Sequence, residues 1–280
     1  MSRFVGRMGL ALFVLGAVFP ILFSIIYALL YSVGLMGFGA TGFTTAYWIK
    51  LFSQSQVAES FLFSAYISIT CSLLSWLIAI ALFEGFGDFW LRSSWTTFWF
   101  LPLTLPAMVS GFLVLQLLSG GGWLARVAYH FGWISVPQDF PIWTNDPYGI
   151  GIIVAHLLTG IPFFLLLFRS IWKEAHLAAF DVLAASLGAH KWQIRWRVHM
   201  PILYNRSKGN VLLYVLAVFG AYDIPLLVGS QAPQMISVLA LRKYERFDLT
   251  EKPEAFIIAL LYTLLVCLII LWKPSNEENL

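Results

Sequence analysis

Charge is scarce in this sequence. Only 11% of its 280 residues are Asp, Glu, Lys or Arg, while 60% are hydrophobic; soluble domains carry about 25% charged residues. So few charges cannot coat a water-facing surface, so most of the chain must face lipid or other buried helices. Cysteine is scarcer still. Cys71 and Cys267 both lie in apolar runs with no metal ligand at ligand spacing, and read as filler on helix faces. The net charge of +3 is too small to point to nucleic acid. No G-x-x-x-x-G-K-[ST] phosphate loop occurs: the Gly120-Gly121-Gly122 cluster precedes Trp123 and lacks the lysine. The chain therefore has no ATP-hydrolysing site of its own. Its histidines, His130, His156, His176, His190 and His199, form no H-E-x-x-H, and no Gly-x-Ser-x-Gly elbow is present. His156 reads as a buried side chain bonded to a neighbouring helix. We expect no catalytic residue, no metal site and no cofactor in this chain.

Long apolar runs are what the sequence has. A hydrocarbon core of about 30 Å needs about 20 apolar residues per helix. Six stretches qualify, at 8–33, 61–83, 95–118, 148–168, 211–229 and 255–272. The first is too long for a signal-peptide core and reads as an uncleaved span. Six spans put both termini on one side. With the termini inside, the inner segments carry Arg3, Arg7, Arg92, Arg169, Lys173, Lys191, Arg195, Arg197, Arg206, Lys208 and Lys273. The outer segments carry Lys50, Arg126, Arg242, Lys243, Arg246 and Lys252, a split of 11 against 6. The positive-inside rule therefore places both termini in the cytoplasm. The loop after the fourth span is then cytoplasmic as well, and 34–60, 119–147 and 230–254 are external.

Prolines interrupt the spans at Pro20, Pro102, Pro106, Pro162 and Pro225. Each removes a helix hydrogen bond, and transporters use such breaks along their pathways. The pair Pro102 and Pro106 should bend the third span strongly.

The stretch 173–210 is the most informative. Residues 176–187 read as a helix, with Leu177, Phe180, Ala184 and Leu187 on one face. Gly188 ends it. A second short helix follows, with Trp192 and Trp196 on one side and Lys191, Arg195 and His199 as an adjacent stripe, until Pro201 stops it. From the residues alone two readings stay open. One is an interfacial helix resting on lipid; the other is a docking element for a cytoplasmic partner.

The run Leu183-Ala184-Ala185-Ser186-Leu187-Gly188-Ala189-His190-Lys191-Trp192, followed by Val198-His199-Met200-Pro201, resembles the EAA loop of binding-protein-dependent ABC importer permeases. Gly188 sits at that loop's glycine, Val198 at its isoleucine, Met200-Pro201 at its Leu-Pro, and Ala184 at its second alanine. Val182 stands where the loop has glutamate and Leu183 where it has the first alanine; Asp181 is one position off. The 102–111 run resembles the family's third span. Phe219-Gly220-Ala221-Tyr222-Asp223-Ile224-Pro225 resembles span five of the spermidine/putrescine-type permeases.

The resemblance implies an all-α, polytopic membrane protein of about six transmembrane helices, the type I ABC importer permease fold. It implies a single transmembrane domain over 1–280, with a cytoplasmic coupling loop at 173–208. The expected coupling residues are Ala184, Ala185, Leu187, Gly188, Ala189, Lys191, Trp192, Arg195 and Pro201. The implied setting is the bacterial inner membrane. The implied partners are two ABC ATPase subunits that bind ATP and Mg, a second permease (a paralogue or another copy of this chain), and a periplasmic or lipid-anchored substrate-binding protein. The missing glutamate at 182 hints at a paralogue with the standard loop. A secondary transporter or channel is the rival class.

Asp223 reads as the one carboxylate well inside a span, where ionisable groups cost about 2.5–3.5 kcal/mol or more and so face the bundle interior. It could meet a cationic solute such as a polyamine, or pair with Tyr222 or Tyr214. Asp223, Tyr222, Pro225 and Pro106 are the expected pathway residues. Related permeases carry thiamine, ferric iron, phosphonates and oxyanions.

Overall fold

The structure, a computed structural model, describes residues 8–9, 12–37, 40, 42–87 and 100–272. Arg3, Arg7, Arg92, Lys273 and the first five residues of the expected third span, 95–99, lie outside the described residues. What is described is all-α, without a strand. The helices are α1 (Phe19–Ser32, preceded by a π-helical turn), α2 (Ala46–Phe52), α3 (Ser55–Gly85), α4 (Ala107–Leu118), α5 (Trp123–His130), α6 (Ile150–Glu174), α7 (Leu177–Ser186), α8 (Lys191–Ile194), α9 (Met200–Phe219), α10 (Asp223–Val228), α11 (Ile236–Glu245) and α12 (Lys252–Trp272).

Five of the described stretches are long and apolar enough to cross a membrane: Val14–Ser32, Ser55–Gly85, Ala107–His130, Ile150–Glu174 and Lys252–Leu271. The expected stretch 211–229 is not a continuous helix. α9 ends at Phe219, the chain opens at Gly220, Ala221 and Tyr222, and α10 restarts at Asp223. Pro225 falls in the first turn of α10, where its missing N–H would have no intrahelical partner in any case. Pro102 and Pro106 do more than bend the third span. A 3₁₀ turn covers Leu101–Thr104, Leu105 is extended, and α4 begins only after Pro106. The proline ring forces the residue before it out of the helical region, and Leu105 at ψ 131° obeys. Pro162, by contrast, sits within an unbroken α6.

The chain divides into two compact units. In the first, residues 1–60 and 236–280, α1 and α11 pack on α12. Tyr31 lies 4.6 Å from Phe256, ring centre to ring centre. The fully buried Glu254 accepts from Lys243 Nζ at 2.6 Å and Gln54 Nε2 at 3.1 Å, and Lys50 Nζ approaches it at 2.8 Å. A buried carboxylate persists only with such compensation.

The second unit, residues 61–235, is built from α3, α4, α6, α9 and α10. Serines at four- and three-residue spacing, Ser64, Ser68, Ser72 and Ser75, form the buried stripe of α3. In lipid, small residues of this kind let helix backbones approach closely. Gly160 of α6 lies at such an approach: a Cβ there would sit 2.3 Å from Ser75 Oγ and 2.6 Å from Tyr214 Oη. Towards the other end of α3, Ala79, Ile80 and Phe83 join Phe164, Phe168 and Ile171 of α6, Leu177 of α7 and Leu203 of α9 in one core. Trp76 Nε1 donates to Ser207 Oγ across α3 and α9 at 2.9 Å. This core is the base on which the loop after α6 stands.

Candidate functional site: the loop between α6 and α9

α6 ends at Glu174, and His176 turns the chain in a left-handed conformation, φ +50°. α7 then runs Leu177–Ser186. Its apolar anchor is at the start, with Leu177 fully buried in the core. Of the face expected to be apolar and shared, Phe180 is half out and Leu187 is 81% exposed. Val182 and Leu183 are exposed too. The far end of α7 therefore presents bare apolar side chains on a rigidly rooted helix.

Gly188 ends α7 as expected, and its geometry says why it is glycine. Its φ is +81°, its N–H donates to Ala185 O at 3.0 Å, and the Ala189 N–H donates back to Ala184 O at 3.0 Å. This pair of bonds is the Schellman closure, which needs a left-handed residue at Gly188. His190 then caps α8: its ring accepts from the Trp192 N–H while its own N–H donates to Gln193 Oε1 at 2.9 Å. Trp192 and Trp196 do share a side, 5.2 Å apart between ring centres, and both are exposed.

Two expectations about this second helix fail. Pro201 does not stop it. Arg195–His199 form a π-helical turn that passes directly into α9, and Pro201 occupies the first turn of α9, a position where proline is tolerated. His199 does not belong to the exposed Lys191–Arg195 stripe either. The wider π turn rotates it inward, and it is buried.

There His199 meets two carboxylates. Nδ1 lies 3.1 Å from Glu84 Oε1 at the end of α3, and Nε2 lies 2.7 Å from Asp181 Oδ1 on α7. Trp172 stands edge-on, 4.7 Å away. Arg195, partly exposed, also points its Nε at Glu84, 3.6 Å off. Lys191 and Ala185 line the same cavity of about 530 Å³. Burial pulls the His199 pKa down, but hydrogen bonds to Glu84 and Asp181 overcome it, and the net effect is a raised pKa. Sequence reading missed Glu84 and the inward turn of His199. The available signal was a lone carboxylate closing an apolar run, at Glu84.

The expected pathway residues lie elsewhere in this unit. Asp223 is not in the interior of a continuous span. It opens α10, half-buried, where a carboxylate complements the helix dipole. Tyr222 precedes it at the break, Pro225 is buried in the first turn, and Pro106 precedes α4. α4 and α10 pack on each other, with Ile224 and Leu227 over Gly111. His156 is buried, but among the described residues its ring Nε2 has no partner; the bond to the neighbouring helix comes instead from Tyr214 Oη to the His156 carbonyl at 2.9 Å.

Solved structures share this fold. A chain of a bacterial alginate ABC transporter, crystallised with an alginate-bound periplasmic protein, superposes with a TM-score of 0.67 over 96% of this chain and 91% of its own length, at 14% identity. The fold is that of an ABC importer permease. Among curated proteins, the sulfate transport system permease protein CysT of Synechocystis is 27% identical over 173 residues, covering 61% of this chain and 57% of that protein. The thiamine transport system permease protein ThiP of Haemophilus influenzae is 28% identical over 249 residues, covering 83% of this chain and 43% of that protein. The chain thus spans about half the length of the curated relatives it matches. No protein-family model matches it. The resemblance to importer permeases holds; its narrowing to the polyamine type finds no support among these relatives.

Proposed function

We propose that this chain is the membrane-spanning subunit of an ATP-driven importer, and that its 173–208 loop docks on separate ATPase subunits. The observation that carries this reading is the form of the loop. α7 is rooted in the core at Leu177, yet Val182, Leu183, Leu187, Trp192 and Trp196 are all exposed around a Gly188 turn. Exposed apolar clusters of this kind mark interaction sites. The positive-inside count puts them in the cytoplasm, with both termini on that side. The lack of a phosphate loop in the sequence supports a division of labour in which partner subunits bind ATP and Mg.

The assembly we propose has two ATPase subunits, a second permease and an external binding protein. The cargo is a small polar solute delivered by that binding protein. Polyamine rests on the 219–225 resemblance, whereas the names of the curated relatives support sulfate or thiamine. Co-purification with the ATPase subunits, followed by measurement of their hydrolysis with and without this chain, tests the proposal. Stimulation supports it. Transport that continues with no ATPase bound would return the chain to the secondary transporters.

A further inference from the structure

We infer that His199, in its protonated form, is the positioning residue of the coupling loop: with one ring nitrogen on Glu84 and the other on Asp181, it ties α7 to the end of α3. The inference rests on the reading of the loop as a coupling element and deepens it.

With both carboxylates ionised, the geometry requires a cation. A neutral imidazole has one N–H and one lone pair. Here both ring nitrogens face carboxylate oxygens, at 3.1 Å and 2.7 Å. Only the imidazolium donates on both sides at once. The neutral ring would set a lone pair against one carboxylate inside a buried site, where an unmade bond is costly.

The elements joined are the ones that matter for coupling. Glu84 closes α3, a candidate span of 31 residues, so any movement of that span reaches the carboxylate directly. Asp181 lies mid-way along α7, six residues before the exposed Leu187. His199 leads straight into α9 through the π turn. One side chain therefore joins α3, a candidate span, and the start of α9 to the docking helix. Leu177 roots only the first turn of α7; Asp181 is the second point of attachment and sets the direction in which Leu187 and Gly188 point.

Among the described residues, the charged groups around His199 are Glu84 from α3, Asp181 from α7, Arg195 from the π turn and Lys191 from α8, with the neutral Trp172 ring from α6. On deprotonation Glu84 still has Arg195 at 3.6 Å. Asp181, a third exposed, turns to water, so the α7 arm is the one released. Glu84, His199 and Asp181 form no metal-binding group among the described residues. Folding raises the pKa of His199, so the tie is complete below the ordinary value of 6.5 and is lost as pH rises through the raised value.

Pulsed distance measurements on the full-length chain in lipid nanodiscs test this. Spin labels go on Val182→Cys and Leu77→Cys, with Cys267→Ala removing the exposed native thiol. Leu77 and Val182 are exposed residues of α3 and α7. We expect one narrow distance at about pH 6 and a second, broader population by about pH 9, with a midpoint above 6.5. His199→Gln shows the broad population at both pH values, and Asp181→Asn abolishes the pH dependence. An unchanged distance across this range in the wild type, or a His199→Gln chain that matches the wild type throughout, overturns the inference. If His199→Gln does not accumulate, the wild-type titration and Asp181→Asn decide. The docking proposal fails separately: a pH-dependent distance without any contact to the ATPase subunits leaves the tie and removes the coupling, whereas contact with an invariant distance does the reverse.

Discussion

Replacing Gly188 separates backbone shape from side-chain bulk at the proposed docking tip. Gly188 holds φ +81° and closes α7 through two bonds of 3.0 Å, its own to Ala185 O and that of Ala189 to Ala184 O. An L-residue in this region costs about 1–2 kcal/mol. A Cβ built at Gly188 meets nothing within 4 Å, so no clash adds to that cost within the chain. Alanine and leucine therefore carry the same backbone penalty, a factor of about 5–30 between the closed and the frayed turn. Asparagine, which enters the left-handed region more readily, costs less. Amide hydrogen exchange reads the turn directly. Exchange at the Gly188-linked amides should accelerate about 5–30-fold in Gly188→Ala and in Gly188→Leu alike, and less in Gly188→Asn. Stimulation of the ATPase subunits should then fall in the order Gly, Asn, Ala, Leu, with leucine worst because its side chain projects into space the partner fills. Unchanged exchange in Gly188→Ala, or exchange that differs between alanine and leucine in the isolated chain, would refute the reasoning.

Three further outcomes follow from the same account. Single cysteines at Lys191 and at Gln231 should be labelled only from the cytoplasm and only from outside, respectively; labelling of Lys191 from outside would reverse the orientation. If the cargo is cationic, Asp223→Asn should reduce its uptake while membrane accumulation and basal ATP hydrolysis persist. Lost accumulation would make Asp223 structural, and unchanged uptake would give it neither role. Gly160→Val should lower the thermal midpoint in detergent, because its Cβ falls on Ser75 Oγ and Tyr214 Oη and overpacking of this kind costs about 1–3 kcal/mol; a wild-type midpoint would mean that α3 and α6 separate freely.

Hydropathy makes the spans legible, because a bilayer demands long apolar helices. It marks where a span lies, not whether its backbone is continuous: proline signalled trouble at 102–106 and 225, yet one span restarts after Pro106 and another parts at Gly220, while α6 runs through Pro162. Glycine at 188 was readable, since the left-handed turn it closes has a sequence signature. The direction of side chains around the loop was not. A stripe of Lys191, Arg195 and His199 assumes 3.6 residues per turn, and the π turn over Arg195–His199 changes that period. His199 thus moves from the solvent side to a buried site. Its partners, Glu84 and Asp181, stand 115 and 18 residues away in the chain, beyond the reach of any local pattern. The packing face of α3 was hidden for another reason: serines share it with apolar residues such as Ile67, Ala79 and Phe83.

Crosslinking tests the central claim most directly. A cysteine at Ala189, beside the Gly188 turn, should form a bond to the purified ATPase subunit in the assembled transporter, and the yield should change between the nucleotide-free and ATP-bound states, since coupling requires contacts that differ between two states. A complex that still transports while no position from 184 to 192 crosslinks in either state would contradict the account and leave the loop as a helix resting on lipid.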